Sequence, residues 1–170
     1  MKYFMEFDAS GNYAGNGIAV HDTLPPGAVE CTAAQYAGGN LWALKNGIIT
    51  AISAAAPTLA QQATAAIGAG LTITSASTPA LNGTYAVASG VPFGREDIGT
   101  EAQFVSTFSE FTNGTTTLQW PLIDGKTFVT FPTTASFMAF AKAAAQFYAA
   151  CKAVAATGAG SLPAASATIP

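Results

Sequence analysis

The sequence predicts an α+β fold: a small β-rich N-terminal head, then an α+β body of antiparallel hairpins packed on a long C-terminal helix. Three observations predict it. Extended segments rich in β-branched and aromatic residues come in pairs around tight-turn dipeptides such as Asn46-Gly47 and Asp124-Gly125. Helical segments stand between the pairs, which favours antiparallel hairpins over a doubly wound parallel sheet. From Phe137 onward, Phe137, Phe140, Ala144, Phe147, Cys151 and Val154 recur at three- and four-residue steps, with Tyr148 beside them. That spacing is the apolar stripe of an amphipathic helix of roughly six turns.

In chain order, residues 2–7 read as a strand. A Gly/Asn-rich turn (Gly11, Asn12, Gly15, Asn16, Gly17) follows, with a second strand at 18–21 ended by Pro25-Pro26-Gly27. Thr32 and Gln35 have the spacing of a capping box for a short helix closed by Gly38-Gly39. Residues 41–45 and 48–52, around Asn46-Gly47, form the clearest two-residue hairpin in the chain. Thr58 caps a helix over 59–67, ended by Gly68 and Gly70. Residues 71–75 and 84–87 pair, with Asn82-Gly83 in their connection. A loop over 90–99 carries the sole arginine, Arg95, and Thr100 with Gln103 repeats the capping-box spacing for a helix through Phe104, Phe108 and Phe111. Segments 118–123 and 126–131 form the central hairpin around Asp124-Gly125. Pro132 stops it, Thr133 or Thr134 caps a helix over about 133–156, and Gly158 ends that helix. Residues 164–169 supply a last edge strand.

Residues 53–57, an Ala/Pro stretch, divide a head (1–52) from a body (58–170). The chain has 170 residues, half of them hydrophobic and 9% charged, against roughly 25% in ordinary soluble domains. Such sparse charge suits a protein whose surface is covered by partners. A net charge of −3 gives no basic footprint for nucleic acid. No run approaches the ~20 apolar residues of a membrane span, and Glu6 and Asp8 interrupt the N-terminus where a signal peptide needs an apolar core. Cys31 and Cys151 have no metal-knuckle or disulfide-framework spacing and read as two buried, reduced thiols.

Residues with catalytic chemistry are few. His21, the sole histidine, would need a Ser, Cys or Asp partner across the fold; Asp22 is adjacent and Cys31 near in sequence, a conceivable thiol nucleophile, but the plainer reading is a strand-end histidine and a buried cysteine. Glu96, Asp97 and Glu101, next to Arg95, form the one acidic cluster. Its spacing matches no calcium loop, and a solvated loop leading into a helix N-terminus accounts for it. The glycine runs at 11–17 and 68–70 lack the strand-loop-helix setting of a phosphate-binding loop, and Asn82-Gly-Thr84 and Asn113-Gly-Thr115 read as turns. No cofactor is expected. Among the aromatics, Trp42, Tyr13 and Tyr36 are the candidate partner contacts, Trp42 foremost because it precedes the head hairpin; Trp120 reads as core.

The head, with Lys2-Tyr-Phe, its Gly-rich turn, the run from His21-Asp-Thr-Leu-Pro-Pro-Gly to Tyr36 and the hairpin over 41–52, resembles the N-terminal module of tailed-bacteriophage tail-fibre assembly proteins and related tail proteins. The body, through Leu71-Thr-Ile-Thr-Ser, Pro79-Ala-Leu-Asn-Gly-Thr-Tyr, Asp124-Gly-Lys-Thr-Phe-Val-Thr-Phe-Pro132 and Leu162-Pro-Ala-Ala-Ser, is similar to proteins encoded among phage and prophage tail genes. The resemblance implies a non-enzymatic, multi-copy tail component: a virion protein of the fibre, baseplate or tail tip, made in the host cytoplasm and bound to other phage tail proteins. A tail-fibre assembly chaperone is the alternative, and a small hydrolase the third class. The alanine-rich linker is shorter than in the resembled proteins.

Overall fold

The computed structural model describes residues 2–19, 23–52 and 56–170. His21, Asp22, the end of the expected second strand and most of the expected linker lie outside the described residues. The chain folds as two compact units, Met1–Ala56 and Pro57–Pro170, and both carry helices and antiparallel strands, an α+β fold.

In the first unit, β1 (Lys2–Phe7) is the middle strand of an antiparallel sheet, with β2 (Tyr13–Ala19) on one side and β3 (Val29–Cys31) on the other. From Tyr13 on, the Gly/Asn-rich run expected as a turn is therefore strand, with Gly15, Asn16 and Gly17 inside β2. Gly17 is needed there: Phe4 lies opposite it, and a Cβ on Gly17 would run into the Phe4 ring. The turn is confined to Asp8–Asn12, where the Asp8 carboxylate accepts the Ser10 and Asn12 N–H groups at 2.8 and 2.9 Å and Gly11 takes φ 81°. Helix α1 (Ala33–Gly38) starts at the expected capping box: Thr32 Oγ1 accepts the Gln35 N–H and Gln35 Oε1 accepts the Thr32 N–H. After a 3-10 turn at Gly39–Leu41 come β4 (Trp42–Lys45) and β5 (Ile48–Ala51). Asn46 and Gly47, at φ 52° and 79°, make the primed turn that matches strand twist.

The second unit begins with α2 (Leu59–Ala69), capped by Thr58 and continuing through Gly68 to a cap at Gly70. β6 (Leu71–Ser75) alternates buried and exposed residues and pairs antiparallel with β7 (Gly83–Tyr85). α3 (Arg95–Phe108) starts five residues before the expected Thr100 cap; the Thr100 hydroxyl instead donates to the Glu96 carbonyl inside the helix. It ends at Phe108 with Ser109 left-handed, so Phe111 lies beyond it, buried. β8 (Leu118–Pro121) and β9 (Phe128–Phe131) form the central hairpin. Its connection is six residues, 122–127, not the two expected. Asp124 accepts from the Lys126 and Thr127 N–H groups and from the Thr127 hydroxyl, which stabilises the longer turn.

Thr133 caps α4 (Thr134–Thr157), and Gly158 ends it in the left-handed conformation. All six stripe residues, with Ala141, are buried. Phe137 and Phe140 pack with Tyr85, Phe111, Trp120 and Phe131 in one aromatic core, and α2 and α3 both rest on α4. The last strand, β10 (Ser166–Ile169), is at an edge as expected, but it runs parallel to β6. A parallel pair needs a long crossover, and the chain between them, including α3, the hairpin and α4, provides it. Cys151 is buried; Cys31, on the short edge strand β3, is only partly covered, which corrects the expectation of two buried thiols. Neither is in a disulfide. Among the described residues, no helix is long and apolar enough to cross a membrane.

Candidate interaction surfaces

The three aromatics singled out from the sequence meet on one short segment of the first unit. Tyr36, on α1, packs on Tyr3 of β1 with ring centroids 5.0 Å apart, and its carbonyl accepts the Asn16 amide at 2.8 Å. Tyr13 of β2 reaches Gly39, its hydroxyl 3.6 Å from where a Cβ would stand. Trp42 covers Gly38 so closely that a Cβ there would lie 2.5 Å from Nε1. All three are partly buried, and the buried indole N–H of Trp42 has no hydrogen-bond partner. These rings thus hold the α1 segment to its neighbours while keeping part of each face open.

The larger open surface beside them is aliphatic. Leu41, Ile48 and Ile52 are 62%, 67% and 51% exposed, all on or next to the β4–β5 hairpin. Met5 and Ala19 are the buried hydrophobics of this unit among the described residues. The sequence signal for this surface is weak: the hairpin strands hold Trp42, Leu44, Ile48 and Ile49 against one charge, Lys45, a pattern that fits a covered face equally well.

In the second unit the acidic cluster is divided among structural tasks. Glu96 Oε2 accepts the Gly90 N–H at 3.1 Å, and Asp97 Oδ2 accepts the Phe93 N–H, so both fasten the preceding loop to the first turn of α3. The Gly90 bond, chiefly, holds the Glu96 carboxyl below its ordinary pKa. Glu101 is not in the first turn, as expected, but buried within α3, where it accepts from Thr112. Arg95 lies 3.7 Å from Glu96 and 4.8 Å from the centre of the Tyr148 ring, and the Tyr148 and Ser89 hydroxyls are 3.1 Å apart. Arg95, Glu96 and Tyr148 edge a groove of about 730 Å³ between α3 and α4, with Lys142 at its side and small residues such as Gly99, Ala141 and Ala145 along it. Among the described residues, no three His, Cys, Asp or Glu side chains converge to hold a metal ion. Burial raises the pKa of the Cys31 and Cys151 thiols, with Glu30 adding to the effect at Cys31. A thiol so shifted is a weaker nucleophile at neutral pH.

A second groove, about 460 Å³, runs between the 86–93 loop and the β8–β9 connection. Val91, Phe93, Ile123 and Phe128 stand exposed along it. Phe93 has a left-handed φ of 57° and sets its ring edge-on to Trp120 at 5.4 Å. Trp120 is core, as expected, and its buried indole N–H has no hydrogen-bond partner. Each unit offers exposed apolar side chains on or beside a hairpin.

No protein-family model, curated protein or solved structure matches the chain.

Proposed function

We propose that this chain is a non-enzymatic component of a bacteriophage tail, a virion protein of the fibre, baseplate or tail tip that works through protein–protein contacts. The observation that carries the reading is the outward placement of Leu41, Ile48 and Ile52 on the β4–β5 hairpin. Apolar side chains grouped on an exposed hairpin gain by being covered, and among the described residues β5 pairs only with β4, which offers its other edge to a partner strand. The low charge fraction and the resemblance of residues 2–52 to tail-fibre assembly modules support the same reading. Partly open Trp42, Tyr13 and Tyr36 extend the surface with side chains that interfaces favour.

A tail-fibre assembly chaperone is the second reading, favoured by that same head resemblance, and it uses the same surface transiently. Quantitative mass spectrometry of purified particles separates the two. An integer ratio to a known tail protein supports a virion subunit; abundance in infected cells with absence from particles supports the chaperone. Ile48→Asp, exposed and so tolerable to the fold, should abolish incorporation or fibre maturation. Normal particles from that variant would count against the surface.

A further inference from the structure

We propose that the groove between the 86–93 loop and the β8–β9 connection is the face on which two copies of this chain pair about a two-fold axis. Val91, Phe93, Ile123 and Phe128 are 40%, 42%, 43% and 57% exposed, and all four line it. With a large side chain worth ~150–250 Å² when fully covered, they leave on the order of 300 Å² of apolar surface in one patch. A standard interface buries about 800 Å² per partner, with its apolar part at the centre and a polar rim. The patch is thus large enough to be the core of one such interface and too small for an obligate dimer.

The rim selects a second copy as the occupant. Asp124 lines the groove and Lys126 stands two residues further along the same exposed turn. A two-fold interface sets residue i against j and j against i. A rim carrying one acid and one base side by side is complementary to itself under that operation, with Asp124 of each copy facing Lys126 of the other. The patch is also presented rigidly. Phe93 is a non-glycine residue in the left-handed region, a conformation that persists only where its surroundings impose it. Here the Asp97 carboxylate, through the Phe93 N–H, and the edge contact with Trp120 hold the ring in place while part of it faces solvent.

Sedimentation equilibrium of the full chain, from micromolar to submillimolar concentration, tests this. The expected result is a monomer–dimer equilibrium that Phe128→Ser weakens about tenfold or more. The circular dichroism spectrum should be unchanged, because Phe128 is exposed. Lys126→Glu sets like charges together across the axis and should weaken the dimer ~2–5-fold. Added salt should then strengthen the Lys126→Glu dimer while weakening that of the unaltered chain. A chain that stays monomeric throughout overturns the proposal, as does closed assembly beyond a dimer. Association that survives Phe128→Ser but is lost in Ile48→Asp overturns it too, since it places the contact on the β4–β5 hairpin.

Discussion

Glu101, buried on α3, takes two hydrogen bonds from one residue: its carboxylate accepts the Thr112 N–H at 2.9 Å and the Thr112 hydroxyl at 2.6 Å. The clasp closes the reversal that follows α3, where Ser109 is left-handed, and it sets Phe111 against Phe137 with centroids 5.9 Å apart. Bonds to a charged acceptor are worth more than neutral ones, and a truncated partner leaves the donors to find water. Glu101→Ala should therefore cost about 2 kcal/mol in urea unfolding, and Glu101→Gln, which keeps one carbonyl acceptor, about 1 kcal/mol. An unchanged urea midpoint for Glu101→Ala would show that the clasp does not hold the turn.

Tyr85 gives the body an alkaline limit. Its ring is fully buried, 4.6 Å from Phe140, and its hydroxyl donates to the Leu81 carbonyl at 2.6 Å. Desolvation raises its pKa from 10.0 to about 12. A pKa raised by folding gives stability that is complete below the unfolded value and is lost as pH rises through the folded one. Stability should thus fall between pH 10 and pH 12, when the unfolded chain ionises first. Tyr85→Phe should lose about 1 kcal/mol at neutral pH and show a shallower decline across that window. An equally steep decline in the variant would assign the alkaline loss to other groups.

The parts of this fold that local chemistry dictates are legible in the sequence. α4 is specified by its stripe, by the Thr133 hydroxyl at one end and by Gly158 at the other, and none of these needs a distant partner. The Thr32–Gln35 box is equally local. The same spacing at Thr100 and Gln103 misleads because Glu96 and Asp97 reach back to the Gly90 and Phe93 N–H groups and start the helix earlier. Glycines at 15 and 17 have the composition of a turn; the need for glycine at 17 within a strand comes from the Phe4 ring across the sheet, a tertiary fact. The parallel course of β10 depends on the route of everything between it and β6. The surfaces divide the same way. Trp42, Tyr13 and Tyr36 can be chosen by residue type, whereas the exposure of Leu41, Ile48 and Phe128 follows from which neighbours fail to cover them.

Asp124 gives the central hairpin an acid limit. The Thr127 N–H, first, then the Thr127 hydroxyl and the Lys126 N–H, hold its carboxyl down at about 2, from an ordinary 3.8. A pKa depressed by folding gives stability that is complete above the unfolded value and is lost as pH falls through the folded one. The 122–127 connection should therefore loosen between about pH 4 and pH 2, and Asp124 should titrate well below 3.8 when followed by carboxyl NMR. Asp124→Ala should loosen the turn already at neutral pH, seen as faster amide exchange at Lys126 and Thr127. Exchange unchanged by that substitution would mean the turn holds without its carboxylate.

Phe140 tests whether the aromatic core is what the second unit folds around. It is fully buried on α4, with centroids 4.6 Å from Tyr85, 5.4 Å from Phe131 and 5.7 Å from Phe137. Those partners come from β7, β9 and α4 itself, so a cavity here is walled by elements tied into two sheets and has little freedom to collapse. Phe140→Ala should cost about 3–5 kcal/mol, toward the upper end if the walls stay in place. Phe108 supplies the control: it stands 60% exposed at the end of α3, with its ring 4.7 Å from Phe104. Phe108→Ala removes the same atoms and should cost under about 1 kcal/mol. Equal losses for the two in urea unfolding would mean that the cluster on α4 carries no more of the stability than a ring at the surface.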